Sequence, residues 1–268
     1  MTEIEEIINR IQERITLTHS STMTQYDCPI CQDTGWVSRI RDDGYTESAV
    51  CECVKAKKAA QMIRDSGLGD LLDSQTFDTF STETDVQRKM LDTAKRYTTE
   101  IISGETAKRP WLYIGGNPGC GKTHICTAVC GELLKANIPV RYMQWNEQSR
   151  RLKAYVNEPD FEAIVDPYVD APVLYVDDLF KQQYKLGGPY LTDADIRLAF
   201  TVLDGRYTRN KPTIISSEWF LIDDLMAKDE GTFSRVYERA KGFTLNVPRD
   251  AANNYRLRRV QRADNVAG

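Results

Sequence analysis

Residues 116–123 read GNPGCGKT, and residues 173–180 read VLYVDDLF. The first stretch fits G-x-x-x-x-G-K-[ST] in full. Gly116, Gly119 and Gly121 let backbone N–H groups turn inward around phosphate oxygens. A helix starting there adds a favourable dipole. Asn117, Pro118 and Cys120 complete the loop, and His124 follows it. Lys122 is placed to reach β and γ phosphates, and the Thr123 hydroxyl to ligate Mg²⁺. The second stretch is an apolar strand ending in two acids. Asp177 is placed to hold the same Mg²⁺, and Asp178 to polarise an attacking water. The pair of motifs specifies a site for ATP or ADP.

A second group of residues has metal-ligand spacing. Cys28, Cys31, Cys51 and Cys53 fall in one short stretch, as C-x2-C-x19-C-x-C, and only three other cysteines occur. Four thiolates make a closed tetrahedral Zn²⁺ site of the structural kind. Gly35 suits the tight turn of such a knuckle. Reduced cysteines without metal, or iron–sulfur ligation, are the other readings. A segment this short and polar buries little core, so metal binding would supply its folding energy. Cys126 and Cys130 share a helix face and read as core.

The elements that must position these groups alternate. Strands are expected at 111–115, 138–143, 172–178, 212–217 and 243–247. Helices are expected at 123–135, 146–156 and 193–207, with short ones at 221–227 and 232–241. This α/β alternation implies a mostly parallel sheet covered on both faces. The acidic strand is not the next strand after the phosphate loop, so an extra strand should separate the two in the sheet. Ser216 and Ser217 end the strand that follows the acidic one, at the sheet edge where ligands bind. Ahead of this region, helices are expected at 54–66 and 85–103, with a linker near 67–75. Residues 1–70 and 71–268 are therefore read as two domains. Ile4, Ile7, Ile8, Ile11 and Ile15 mark an amphipathic first helix, a core stripe or a docking face.

The 268 residues carry a net charge of −4, which argues against coating nucleic acid by bulk charge. No apolar run is long enough to span a bilayer, and the charged N-terminus is unlike a signal peptide. A cytoplasmic, membrane-free setting is expected. Local basic groups remain candidates for nucleic acid. Arg150, Arg151 and Lys153, with Trp145 and Tyr155, could contact and stack on a single strand; the tail at 255–262 is also basic. Arg235 and Arg256 are suited to bidentate phosphate contact.

These residues together resemble the DnaC/DnaI-type replicative helicase loaders, a branch of the AAA+ ATPases, in their Gram-positive and phage form. CPIC, DTG and CEC at the front, TFDTF at 76–80, GNPGCGKTH, LYVDDLF, RYTRNKPTIISSE and SRVYER carry the likeness, which extends over nearly the whole chain. The resemblance implies an AAA+ P-loop ATPase core behind a small N-terminal zinc-binding domain that grips a DnaB-type hexameric helicase. It implies loading of that helicase onto single-stranded DNA, and self-association through the ATPase domain on the helicase. It makes Arg235 the arginine finger, Arg256 the sensor 2 arginine and Ser217 a nucleotide sensor, and gives residues 144–170 a helical element facing DNA. Where many members carry Asn at the end of the sensor strand, this chain has Ser217 and then Glu218. An IstB-type transposition ATPase and a helicase-binding adaptor or inhibitor are the alternatives.

Overall fold

The structure is a computed structural model. It describes residues 26–40, 44–104, 110–181, 183–185, 188–248, 250 and 253–255, and statements of absence below concern these residues. The first helix around Ile4–Ile15, the basic tail beyond Tyr255 and Arg256 lie outside them. The chain divides into two compact units, Met1–Arg64 and Asp65–Gly268.

The first unit holds a hairpin. Strands β1 (Trp36–Ile40) and β2 (Thr46–Val50) pair antiparallel, with Trp36 opposite Val50. Helix α1 (Glu52–Ser66) follows at once. The hairpin was not legible in the sequence, because its apolar residues form no buried face, Trp36 and Ile40 being exposed, and the core of the unit consists of cysteines.

The second unit is built on a five-stranded parallel sheet. Its strands are β3 (Trp111–Gly116), β4 (Val140–Gln144), β5 (Val173–Leu179), β8 (Thr213–Ser217) and β9 (Thr244–Val247), in the order β4-β5-β8-β3-β9. β8 thus lies between the phosphate-loop strand and the acidic strand, as the spacing requires. A small antiparallel pair, β6 (Gln183–Lys185) and β7 (Gly188–Tyr190), follows β5. The helices are α2 (Leu71–Ser74), α3 (Asp85–Ser103), α4 (Lys122–Lys135), α5 (Trp145–Leu152), α6 (Phe161–Val169), α7 (Asp193–Thr208) and α8 (Glu230–Arg239). α5 runs into a 3₁₀ turn, Lys153–Tyr155, so the single helix expected at 146–156 is two pieces. A π-helical turn, Leu221–Leu225, replaces the α-helix expected at 221–227.

Strand residues alternate between two faces. Trp111, Tyr113, Leu174, Val176 and Ile215 share a core with Val165, Val169, Leu198, Val202 and Val236 from α6, α7 and α8. Leu112, Ile114, Tyr175 and Ile214 point to the other face and are buried there. α3 and α4 cover that side: Tyr97 of α3 reaches Thr213 O at 3.4 Å, and Cys126 and Cys130 of α4 are wholly buried, as core residues should be. Two capping boxes fix helix starts, Thr84 with Gln87 on α3 and Thr192 with Asp195 on α7.

Candidate nucleotide site and cysteine cluster

The C-terminal ends of β3, β5 and β8 meet at one pole of the sheet. α4 begins there at Gly121, whose φ of +94° puts it in the left-handed region, and no side chain caps the helix. Its first N–H groups are left for an anion. A Cβ on Gly121 would stand 3.0 Å from Phe80 and 3.1 Å from Tyr255. The loop therefore needs glycine for its backbone and for its neighbours.

Lys122 is buried and donates to Gly116 O at 2.7 Å and Asn117 O at 3.0 Å. Its ammonium is folded back on its own loop. Thr123 donates to Asp177 Oδ1 at 3.3 Å. Asp177 Oδ1 also accepts from Tyr175 and Ser216, each at 2.6 Å, and Oδ2 from Tyr142 at 2.9 Å. Burial, with Cys126 and Asp177 close by, pushes the Tyr175 hydroxyl well above its ordinary pKa. Burial and Asp177 raise Tyr142 likewise. Both therefore stay protonated donors.

β5 and β8 lose register between Val176 and Leu179, so two residues, Asp177 and Asp178, stand against Ser216 alone. Asp178 and Phe180 both have positive φ, +56° and +58°. This bulge keeps both acids at the loop's pole. Asp178 N–H donates to Ser216 Oγ at 2.9 Å, and its carboxylate pairs with Lys181 at 2.6 Å.

A cleft of about 530 Å³ lies over the loop. Pro118, Gly119, Gly121, Lys122, Thr123, His124 and Asp178 line it, together with Gln75, Thr79, Ser81, Lys181, Glu218 and Tyr255. The first group was expected from sequence. Of the second, only Glu218 was in view, beside Ser217 at the sensor strand, and most of the group comes from the ends of the unit. His124 Nε2 sits 2.9 Å from Thr76 O and 3.2 Å from Thr79 Oγ1, with Phe80 packed edge-on at 5.3 Å. Tyr255 donates its N–H to Gly119 O and its hydroxyl to Ser81 O. The aromatics of TFDTF were the available signal, read only as a domain start.

Other expected residues lie elsewhere. Ser217 is buried, donates to Leu179 O at 2.8 Å and accepts from Trp219 N–H. It is spent on backbone and does not line the cleft, whereas Glu218 does. Arg235 does not line this chain's own cleft either. It pairs with Asp204 at 2.6 Å and lies over the Phe200 ring at 4.5 Å. The single-strand constellation is corrected in part. Trp145 is buried against Phe180 and offers no face for stacking, Arg151 pairs with Glu147, and Lys153 pairs with Asp195. Tyr155 is exposed, and Arg150 donates to Asn146 O.

In the first unit the sulfurs of Cys28, Cys31, Cys51 and Cys53 all lie within 4.8 Å of one another. Cys28 and Cys51 are 3.9 Å apart, Cys31 and Cys53 3.5 Å. Metal–sulfur bonds of about 2.3 Å in a tetrahedron put sulfurs about 3.8 Å apart, so the four fit one metal ion. The first pair sits on a knuckle at Gln32, Asp33 and Gly35, all with positive φ. Asp33 pins it by accepting from the Asp27 and Cys28 N–H groups. Cys53 comes from the first turn of α1. Burial would raise Cys31, but the Gly35 backbone and the other thiols bring it down to about 7, while burial raises Cys51 and Cys53. A bound cation would favour the thiolate at all four.

Residues 57–258 match the IstB-like ATP binding protein family. The chain belongs to this family. It is 30% identical over 248 residues to the phage-like element PBSX protein XkdC of Bacillus subtilis, covering 90% of each chain. That alignment takes in the cysteine segment, which the family match, starting at residue 57, does not. The crystal structure of the DnaC helicase loader superposes with a TM-score of 0.53 and 23% identity, over 67% of this chain and all of that one. The crystal structure of DnaI gives 0.50 and 20%, over 68% and 91%. The fold is thus the AAA+ P-loop fold shared with both, and the chain is an IstB/DnaC-type AAA+ protein.

Proposed function

We propose that this protein is an ATP-driven loader that places a DnaB-type hexameric helicase on single-stranded DNA. What supports the reading is one chain joining two parts: an ATP-binding unit with the DnaC/DnaI fold and a separate four-cysteine unit. ATP phosphates would take the N–H groups of residues 116–123, drawing Lys122 from its carbonyls. Thr123 and Asp177 would hold Mg²⁺, which supplies charge neutralisation. Asp178 would orient the water for hydrolysis to ADP and phosphate. Arg235, absent from its own cleft, would serve a neighbouring copy assembled on the helicase, after release from Asp204. Arg256 would complete the site in cis. Cys28, Cys31, Cys51 and Cys53 would bind Zn²⁺, and residues 1–70 would grip the helicase while 71–268 respond to nucleotide.

Co-purification with replicative hexameric helicases, using the intact chain and one lacking residues 1–70, tests this. Binding by the intact chain alone is expected. If neither binds and ATP is still hydrolysed, the loader reading falls. The IstB family match favours the second reading, a DNA-targeting ATPase, which predicts binding to duplex DNA and none to a helicase.

A further inference from the structure

The cleft holds a charged residue that the reaction does not call for. Lys181 Nζ lies 2.6 Å from Asp178 Oδ2 and 4.0 Å from Glu218 Oε1. The contact is built by the backbone. Asp178 and Phe180 both take the left-handed conformation, which disfavours non-glycine residues and persists only where the surroundings impose it. Those surroundings are explicit. Phe180 is buried between Trp145 at 5.4 Å and Trp219 at 5.7 Å. Lys181 N–H closes the turn on Asp178 O at 2.8 Å, and Ser216 holds the Asp178 N–H. The ammonium is thereby delivered to the carboxylate three residues earlier.

We propose that Lys181 restrains the ATPase: it occupies and neutralises Asp178, and turnover waits on its release. The inference rests on Asp178 being the carboxylate that orients the attacking water. A base must have a free oxygen and its charge to accept from water. The ion pair takes one oxygen and offsets the charge. Burial alone would lower the Lys181 pKa, but Asp178, Glu218 and Asp177 outweigh it, so the side chain stays cationic. The pair is also breakable. The Lys181 side chain is 44% exposed, in the range where ion pairs are weak.

The test uses the full chain. Lys181→Met keeps the stem and drops the charge, Lys181→Gln reads the same quantity, and Lys181→Arg keeps the charge. Basal kcat and the KM for Mg·ATP are measured, with binding of a fluorescent ATP analogue followed in parallel. The expectation is a kcat raised about two- to fivefold in the Met and Gln variants, little change in KM, and wild-type kcat in the Arg variant. A Met or Gln variant no faster than a wild type that does turn over overturns the restraint alone. If wild type and variants bind the analogue and none turns over, hydrolysis itself is refuted, and the restraint with it.

Discussion

Asp177 and Asp178 are adjacent, yet their surroundings assign them different work. Asp177 accepts from four hydroxyls and is buried; Asp178 faces the cleft with a cationic partner. Under the proposed function, the first would be held still to ligate Mg²⁺ and the second would orient the attacking water. Asp178→Asn is expected to leave ATP binding intact and lower turnover at least about 100-fold, measured by phosphate release and by analogue binding. Arg206 is the other residue whose role is set by its neighbours. It is wholly buried and donates to Thr213 Oγ1 and to the carbonyls of Tyr168, Val169, Ala171 and Pro212. It ties α6, α7 and β8 together. Arg206→Met strands those acceptors, and a loss of at least about 3 kcal/mol is expected in urea unfolding.

Among the elements, α7 shows how caps couple to the site's frame. Its N-cap Thr192 and Asp195 exchange hydrogen bonds, and Asp195 also holds Lys153 of the 3₁₀ turn at 2.7 Å. Burial would raise Asp195, but Lys153 and Thr192 outweigh it and hold its pKa below the ordinary carboxylate value. A depressed pKa means the folded state favours the ionised form. Its stabilisation is present above the unfolded pKa and is lost as pH falls through the folded one. The Tm of wild type should therefore exceed that of Asp195→Asn at neutral pH, and the gap should close below about pH 4. Equal gaps at both pH values would show that Asp195 acts only as a hydrogen-bond acceptor.

At the scale of the molecule, the two units draw their cohesion from different sources. The larger rests on a sheet buried on both faces; the smaller has a cysteine cluster as its core. Removing metal should therefore act on one unit alone. With a strong chelator, or with Cys51→Ser, the first unit is expected to lose protection from hydrogen exchange over residues 28–53. The second should keep its protection and its melting transition. Metal content by atomic emission on the same sample should fall from one ion per chain to none. Loss of protection in the second unit as well would show that the units unfold together.

Several features were legible from the chain because local physics fixes them. The phosphate loop, the acidic strand and the four cysteines are set by residue type and spacing, and the periodicity of 111–135 and 193–217 gives elements within a residue or two of those observed. The residue pattern did not give α6, because Pro167 sits inside it and a proline argues locally against a helix; only the family resemblance put a helical element within 144–170. The β1–β2 hairpin was missed because its apolar residues, Trp36 and Ile40 among them, stay exposed and mark no buried face. What only the tertiary structure decided depends on groups far apart in sequence. Trp145 looks available for stacking until Phe180 covers it, and Ser217 looks like a sensor until a bulge turns Leu179 O toward it. Gln75, Ser81 and Tyr255 reach the phosphate loop from opposite ends of the unit, a proximity that spacing along the chain does not encode. The sequence by itself determined which chemistry is present. Packing decided which side chains remain free to perform it, because a ring covered by its neighbours, like Trp145, or a hydroxyl spent on backbone, like that of Ser217, has little left to offer a ligand.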